Sequence, residues 1–407
     1  MANASDRGAA NAEVVVAGAG PAGLTAAIVL ASAGVPTALV APRAGATDNR
    51  TTALLAGSVA ALTTLDVWPR CQDHAAPLAV MRIVDATTRL WRAPEVRFAA
   101  AEIGLPAFGW NIANRHLVTA LEARARELPA LTRIDDTAAA LEIGTAGATL
   151  VLNGGGHIRA RLVVGADGRR SLCRAAAGIT TDARSYPQTA LTFNLGHARP
   201  HDDISTEFHT ETGPFTLVPL PGRRASLVCV TSPPDAAYLR DLDGPALDEE
   251  IERRSHSILG GITVEPERGA FPLAIETARR FAAERVVLIG EAAHVMPPIG
   301  AQGLNLGLRD AAAMGELVVA AARAGGDVGA AELTDRYNAA RRGDVASRAL
   351  AVDVLNRSLL SDFLPVQGAR GLGLYLLDRI GPLRRALMRE GVAPAASEPR
   401  LMRGETL

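Results

Sequence analysis

The ten residues Val14-Val15-Val16-Ala17-Gly18-Ala19-Gly20-Pro21-Ala22-Gly23 restrict the start of this chain to one kind of supersecondary unit. Three consecutive valines and an alanine read as a strand buried on both faces. A glycine loop follows at once and opens an apolar helix to about Ala33, after which Thr37 to Ala41 reads as a second strand. Together they make one strand, helix and strand unit of about 30 residues. Gly18 permits the tight turn, Gly20 lets the backbone approach a pyrophosphate, and Gly23 allows the helix to lie close on the strand. Pro21 and Ala22 complete the loop at the positive end of the helix, where an anion is stabilised. A dinucleotide site is expected here. Where the second strand ends, a carboxylate ordinarily accepts the ribose hydroxyls, but the residues are Ala41, Pro42 and Arg43. Three readings stay open: water and backbone hold the ribose, Arg43 reaches a phosphate, or Arg43 is a plain surface charge.

Composition removes several function classes. The chain has 407 residues, which favours two domains or one large domain with an insertion. Its 42 basic and 43 acidic residues are interspersed, so no nucleic-acid footprint exists. Every basic residue is Arg; without a lysine amine, Schiff-base chemistry, a pyridoxal-phosphate site and a Walker-type loop are excluded. Cys71, Cys173 and Cys229 are scattered singly, which fits a reducing, cytosolic compartment and argues against disulfide redox chemistry. His197, His201 and His209 share a segment without ligand spacing, so no metal site is expected. No Gly-x-Ser-x-Gly elbow points to a hydrolase. Met1 to Ala12 reads as a short loose tail without signal-peptide features, and the longest apolar stretches, such as Leu317 to Ala322, are far too short to span a bilayer.

Farther along, Ser58 to Trp68 and Arg115 to Leu128 have helical spacing. Ala148 to Leu152 and Ile158 to Val164 flank Asn153 and three glycines, a hairpin signal. Thr189 to Val230 alternates apolar runs with turn residues and predicts several antiparallel strands. After Arg285 the chain returns to strand, Gly-rich loop and long helix, and from Leu333 onward it reads as mainly helical.

Two later segments carry chemistry. The first is Leu162-Val163-Val164-Gly165-Ala166-Asp167-Gly168-Arg169-Arg170-Ser171, followed by Arg174. A strand, Asp-Gly, then Ser and Arg resembles the single-component flavin aromatic hydroxylases, the family of para-hydroxybenzoate hydroxylase, in which it serves flavin and nicotinamide binding. The second runs from Arg285 through Gly290-Glu291-Ala292-Ala293-His294-Val295-Met296-Pro297-Pro298-Ile299-Gly300-Ala301-Gln302-Gly303-Leu304-Asn305. The resemblance implies that Gly290 and Glu291 meet the ribityl and ribose region, that the prolines stiffen the next turn, and that Gly300, Gln302, Gly303, Leu304 and Asn305 open a helix whose backbone N–H groups face the flavin pyrimidine ring. The family ordinarily has Asp where Glu291 stands. Arg50, in Asn49-Arg50-Thr51-Thr52-Ala53-Leu54, resembles an arginine near the flavin, and Arg115 one near the cofactor phosphates; either is also readable as a surface arginine. Arg50, His294 and Pro298 are the candidates for a direct part in catalysis, although the family holds His294 in a packing role.

Within that family the chain is most similar to the ubiquinone-biosynthesis hydroxylases. Arg50 to Leu54, Gly213-Pro214-Phe215, Pro219-Leu220-Pro221, Leu355 to Asp362 and Gly381 to Arg389 carry this likeness. It implies an α/β (α+β) fold: a Rossmann-like FAD-binding domain from 1–75, 100–179 and 273–340, an inserted antiparallel β-sheet substrate domain from 76–99 and 180–272, and a helical C-terminal tail from 341–407. It also implies FAD as cofactor, O2 as co-substrate, and hydroxylation of a lipophilic polyprenyl phenol through a peroxide on the flavin. With a single GxGxxG, NAD(P)H or another electron donor must visit transiently. The expected location is cytoplasmic. The tail's apolar and arginine mixture fits either contact with a membrane surface or partner subunits, or plain packing. Two alternatives remain: hydroxylation of a small soluble phenol, and a non-catalytic flavin-binding component of a biosynthetic complex. Ring position and oligomeric state leave no signal in these residues.

Overall fold

The computed structural model describes residues 10–42, 50–89, 92–360, 364–392 and 398–407. β1 (Ala10–Ala17) carries Val14, Val15 and Val16 with no exposed surface, as a strand covered on both faces requires. It begins at Ala10, where a loose tail was expected, because Ala10 to Ala12 pair with Ile158 to Ala160. α1 (Pro21–Ser32) starts on Pro21, at the one turn where a missing N–H costs nothing, and buries every residue from Gly23 to Ala31. β2 (Thr37–Val40) completes the unit.

Next come β3 (Thr51–Leu55), α2 (Ala56–Thr64), β4 (Val80–Asp85), β5 (Val96–Ala99), β6 (Gly109–Ala113), α3 (Asn114–Arg126) and β7 (Leu131–Ile134). The predicted hairpin is β8 (Ala148–Leu152) against β9 (His157–Gly165), and α4 (Leu172–Ala176) follows. Then β10 (Thr181–His197), β11 (Ile204–His209), β12 (Pro214–Leu220) and β13 (Arg224–Thr231) form the antiparallel region, interrupted by α5 (Pro233–Asp241) and α6 (Gly244–Arg254) before β14 (Ile262–Ala278). β15 (Val286–Leu288), α7 (Gln302–Arg323), α8 (Ala331–Leu360), α9 (Leu364–Arg379) and α10 (Gly381–Val392) finish the elements that matter here.

Two large sheets organise the chain. In the first, neighbours in the order β15, β9, β1, β2, β7 are parallel, and Leu288, Gly165, Ala17, Val40 and Ile134 lie in register at their carboxyl ends. α1 and α7 pack together over this sheet. The second sheet has the central order β14, β10, β13, β12, β11, β4, β5. One of its faces packs Leu191, Phe193 and Leu195 against Leu239, Leu247 and Ile251 of α5 and α6. Both helices carry the local start signal, a capping Ser232 or Asp243 with proline in the first turn. The long strand β14 had no sequence signal, because Pro266, Gly269 and Pro272 read as breakers. Register shifts in its pairing with β10 absorb them.

Among the described residues the C-terminal region is helical over Ala331–Leu360, Leu364–Arg379 and Gly381–Val392, and residues 398–407 then pack back on the first sheet's layer. Leu401 and Met402 sit in the core of the first sheet's layer. α8 is tied to the second sheet by Asp353, which accepts from Tyr186 Oη (2.6 Å) and Arg184 (2.7 Å).

Candidate active site

The carboxyl ends of β1, β9 and β15 bring three loops together. This is where ligands bind in open parallel sheets. In the first loop Gly18 adopts φ +111°, and a Cβ there would fall 2.2 Å from the Ala166 carbonyl oxygen; at Gly23 a Cβ would fall 2.1 Å from the Gly18 carbonyl oxygen. Neither position can carry a side chain. Gly20 instead faces open space, with nothing within 4 Å of a Cβ. It caps α1, whose first turn has no acidic residue and no side-chain cap, leaving its N–H groups available to an anion. Ala22 lies beside Gly290 and Gly307, where α1, the third loop and α7 meet.

The second loop is held from within. Asp167 accepts from Ser171 Oγ (2.6 Å) and from the Cys173 N–H (3.0 Å), so its carboxylate braces the start of α4, and Gly168 turns at φ +79°. Arg174 joins this loop to the third: its guanidinium donates to the carbonyls of Ala292 (2.9 Å) and Arg169 (2.8 Å) and pairs with Glu276 at 3.5 Å.

The third loop depends on a buried charge set. Gly290, at φ +58°, donates its N–H to Asp310 Oδ2 (2.9 Å). The same oxygen lies 2.6 Å from His294 Nε2, and Asp310 Oδ1 accepts from Arg341 Nε at 2.7 Å. Arg341 and Arg309 both pair with Asp344. Burial works against the Asp310 charge, but His294 and Arg341 outweigh it and hold its carboxyl at about 2. The His294 side chain has no exposed surface, which leaves it no route to a substrate.

The helix-opening residues divide by role. Gly300 and Ala301 take consecutive left-handed conformations (φ +65° and +55°) before α7 begins at Gln302. Gln302 donates to the Gly300 carbonyl (2.8 Å), Gly303 faces open space and Leu304 packs on the core. All four hydrogen-bonding positions of Asn305 are filled: it accepts from Leu55 N–H (2.9 Å) and Ser58 Oγ (2.6 Å) and donates to Ala53 and Ala301 carbonyls (2.8 and 2.6 Å). Its side chain pins α7 to β3 and α2, leaving only backbone to meet a ligand.

Between this face and the second sheet lies a cavity of about 640 Å³. Arg50, Glu291, Pro297 and Pro298 line one side, and Ala190, Thr192, Asn194, Ser226, Val228 and Leu273 line the other. Glu291 therefore faces the cavity, together with Arg50 and Pro298. The glycine fingerprint, Arg115, Asp167, Gly168, Gly290 and the Gly300 to Asn305 segment do not line it. Arg115 opens α3, its Nε 3.4 Å from Nε2 of His116, which stacks on His74 at 4.0 Å. At the end of β2, where the acid is missing, Arg133 donates to the Ala41 carbonyl (2.6 Å). Arg43 lies outside the described residues. Among those, no group of three or more His, Cys, Asp or Glu could hold a metal ion.

Asp310, Arg341, Asn111, Asn194 and Ser226 escaped sequence reasoning. The one available signal was the charged pair Arg309-Asp310 set between the apolar runs Leu306 to Leu308 and Ala311 to Met314, since a charge at such a position must find a partner.

The FAD binding domain family matches residues 11–352. Ubiquinone hydroxylase UbiL of Rhodospirillum rubrum is 36% identical over 406 residues, covering 97% of this chain and 94% of that protein. The 3-demethoxyubiquinol 3-hydroxylase of Escherichia coli is 32% identical over 343 residues, covering 84% of this chain and 86% of its own length. In fold, the chain superposes on p-nitrophenol 4-monooxygenase PnpA of Pseudomonas putida with a TM-score of 0.77 at 18% identity, covering 94% of this chain and 98% of that one. The clash-limited glycines, the uncapped helix start at Gly20 and the convergence of the three loops suit a dinucleotide of FAD's kind. The chain belongs to the FAD binding domain family and, within it, to the FAD-dependent aromatic hydroxylases of ubiquinone biosynthesis.

Proposed function

We propose that this protein hydroxylates the aromatic ring of a polyprenyl-phenol intermediate of ubiquinone biosynthesis. The observation that carries the reading is the 640 Å³ cavity between the third loop and the second sheet, which has room for a ring and the first prenyl units and an apolar wall of Ala190, Val228 and Leu273. Exposed Phe271 at its edge offers a path along which the rest of the tail leaves. When bound, FAD supplies the activation of dioxygen that ring hydroxylation needs.

The chain's own residues bind, orient and exclude water. Gly18, Gly20, Pro21, Ala22 and Gly23 would receive the pyrophosphate at the start of α1, with Arg115 as a further phosphate contact. Asp167, Gly168, Gly290 and Glu291 would border the ribityl and ribose region. Backbone N–H groups from Gly300 to Asn305 would stabilise negative charge on the reduced ring, and Arg50 and Pro298 would separate ring from substrate. In this assignment residues 1–75, 100–179 and 273–340 serve the cofactor, and 76–99 and 180–272 the substrate. A transient donor such as NAD(P)H provides the electrons.

We assign residues 341–407 the further task of docking at an anionic membrane surface, on the cytoplasmic side. Among the described residues no helix is long and apolar enough to cross a membrane. Yet Leu350, Val354, Leu372, Tyr375, Leu383 and Leu387 are exposed. From Leu364 to Val392 the sequence has five arginines, at 370, 379, 384, 385 and 389, against two acids, Asp378 and Glu390. Co-sedimentation with phosphatidylglycerol vesicles, lost on Leu383→Asp with Leu387→Asp, is the expected result; equal sedimentation of the double variant overturns it.

Deleting the gene in its host and analysing quinone precursors by mass tests the main reading. Accumulation of an intermediate lacking one ring hydroxyl supports it, and unchanged quinone content refutes it. A small soluble phenol as substrate would instead appear as dioxygen uptake unaffected by prenyl length, while a non-catalytic component would show no phenol-dependent uptake with any donor.

A further inference from the structure

We infer that the Ser226 hydroxyl, set in place by Asn111, is the group that recognises the ring hydroxyl of the substrate. This rests on the phenol-hydroxylase reading and adds to it the residue that fixes the ring's orientation.

Successive side chains of a strand point to opposite faces. On β10, Leu191, Phe193 and Leu195 enter the core under α5 and α6, so Ala190, Thr192 and Asn194 are left to the cavity. On β13 the cavity side carries Ser226 and Val228, and Ser226 lies directly opposite Asn194 across the strand pair. The wall is therefore apolar at one end and polar at the other.

Asn111 stands behind that polar end, on β6, with 1% of its surface exposed. Its amide nitrogen donates to the Pro219 carbonyl at 2.9 Å and to Ser226 Oγ at 3.0 Å. The amide cannot be reversed, because a carbonyl only accepts and would then face the Asn111 oxygen. The bond to Ser226 consequently has one direction: Ser226 Oγ accepts, and its own proton points elsewhere. Among the described residues no acceptor takes that proton, and Ser226 lines the cavity. An almost fully buried O–H donor without an acceptor is costly unless a ligand supplies one. A phenol or phenolate oxygen does so, and its better acceptor strength as phenolate favours the electron-rich form of the ring. Asn111 is a positioning residue; Ser226 touches the substrate.

The test is calorimetric binding to the FAD-loaded protein without reductant, using 2-prenylphenol and prenylbenzene as probes. A site built around a hydroxyl rejects the analogue lacking it, so the unaltered protein should favour the phenol by about ten-fold or more. Ser226→Ala should bring the two probes to within about three-fold, with prenylbenzene affinity unchanged. If Ser226→Ala does not hold FAD, the isosteric pair Ser226→Thr and Ser226→Val decides, since Thr keeps the donor and Val removes it at equal shape. Discrimination that survives in the Ala or Val variant overturns this assignment alone. Failure of the unaltered protein to bind either probe overturns the phenol reading, and the assignment with it.

Discussion

Replacing Asp310 by Asn tests whether the buried charge set holds up the cofactor face. The substitution preserves shape, but it removes the negative charge shared by His294 and Arg341 and turns one accepting oxygen into a donor. Arg341 remains 2% exposed and charged, with only Asp344 to balance it. Loss of one member of such a buried set costs about 3–5 kcal/mol. The depression of the Asp310 carboxyl from 3.8 to about 2 corresponds independently to about 2 kcal/mol. Both point the same way, and a loss of about 3 kcal/mol is expected. Because the folded-state value is lowered, this stabilisation is complete above the unfolded carboxyl's range near 4 and disappears as pH falls toward 2. Urea unfolding at pH 7 followed by tryptophan fluorescence should therefore show a large drop in midpoint for Asp310→Asn, and the gap to the unaltered protein should narrow below pH 4. FAD affinity should fall several-fold, because Gly290 loses a charged acceptor. A variant within about 0.5 kcal/mol at pH 7, or a gap that is constant down to pH 3, would refute the reasoning.

Three further outcomes are expected. Gly18→Ala must place a Cβ 2.2 Å from the Ala166 carbonyl at φ +111°, so the purified variant should be colourless with FAD binding weakened more than a hundred-fold, as measured by flavin fluorescence quenching. Asn305→Leu leaves Ser58 Oγ and the backbone groups of Leu55, Ala53 and Ala301 without their partner, costing about 2–4 kcal/mol in urea unfolding and loosening the start of α7. Burial pushes the Cys71 thiol up to about 11 and Cys229 up to about 12, and raises Cys173 well above its ordinary range. All three are buried, so a thiol reagent at pH 8 should react with none until urea unfolds the protein, when all three should react.

The Gly18 to Gly23 loop was legible because each glycine answers a local steric demand: turn, ligand approach, helix on strand. The same holds for the hairpin at 148–165 and for α1, where apolar runs and turn residues act over a few positions. α5 and α6 were legible in principle through Ser232 and Asp243, but the resemblance placed the whole of 180–272 in a β-sheet domain and so passed over them. β14 was not legible, since its prolines and glycine are tolerated only through bulged pairing with β10, some 80 residues away. Asp167 and Asn305 show the limit in the site itself. Their positions in the motifs were plain, yet only the fold shows their side chains engaged with Ser171, Cys173, Leu55 and Ser58.

The sequence by itself determined a strand, glycine loop and helix of dinucleotide-binding type at the start, the order of the three motif segments, and a chain in which no lysine amine is present, because these depend on residue type and near neighbours. Tertiary structure alone decided that His294 is sealed against Asp310, that the chain's end returns to the core, and that Arg50, Ser226 and Pro298 share one cavity. Each of these depends on groups far apart in the chain, brought together by strand register and by the need of buried charges and donors for partners.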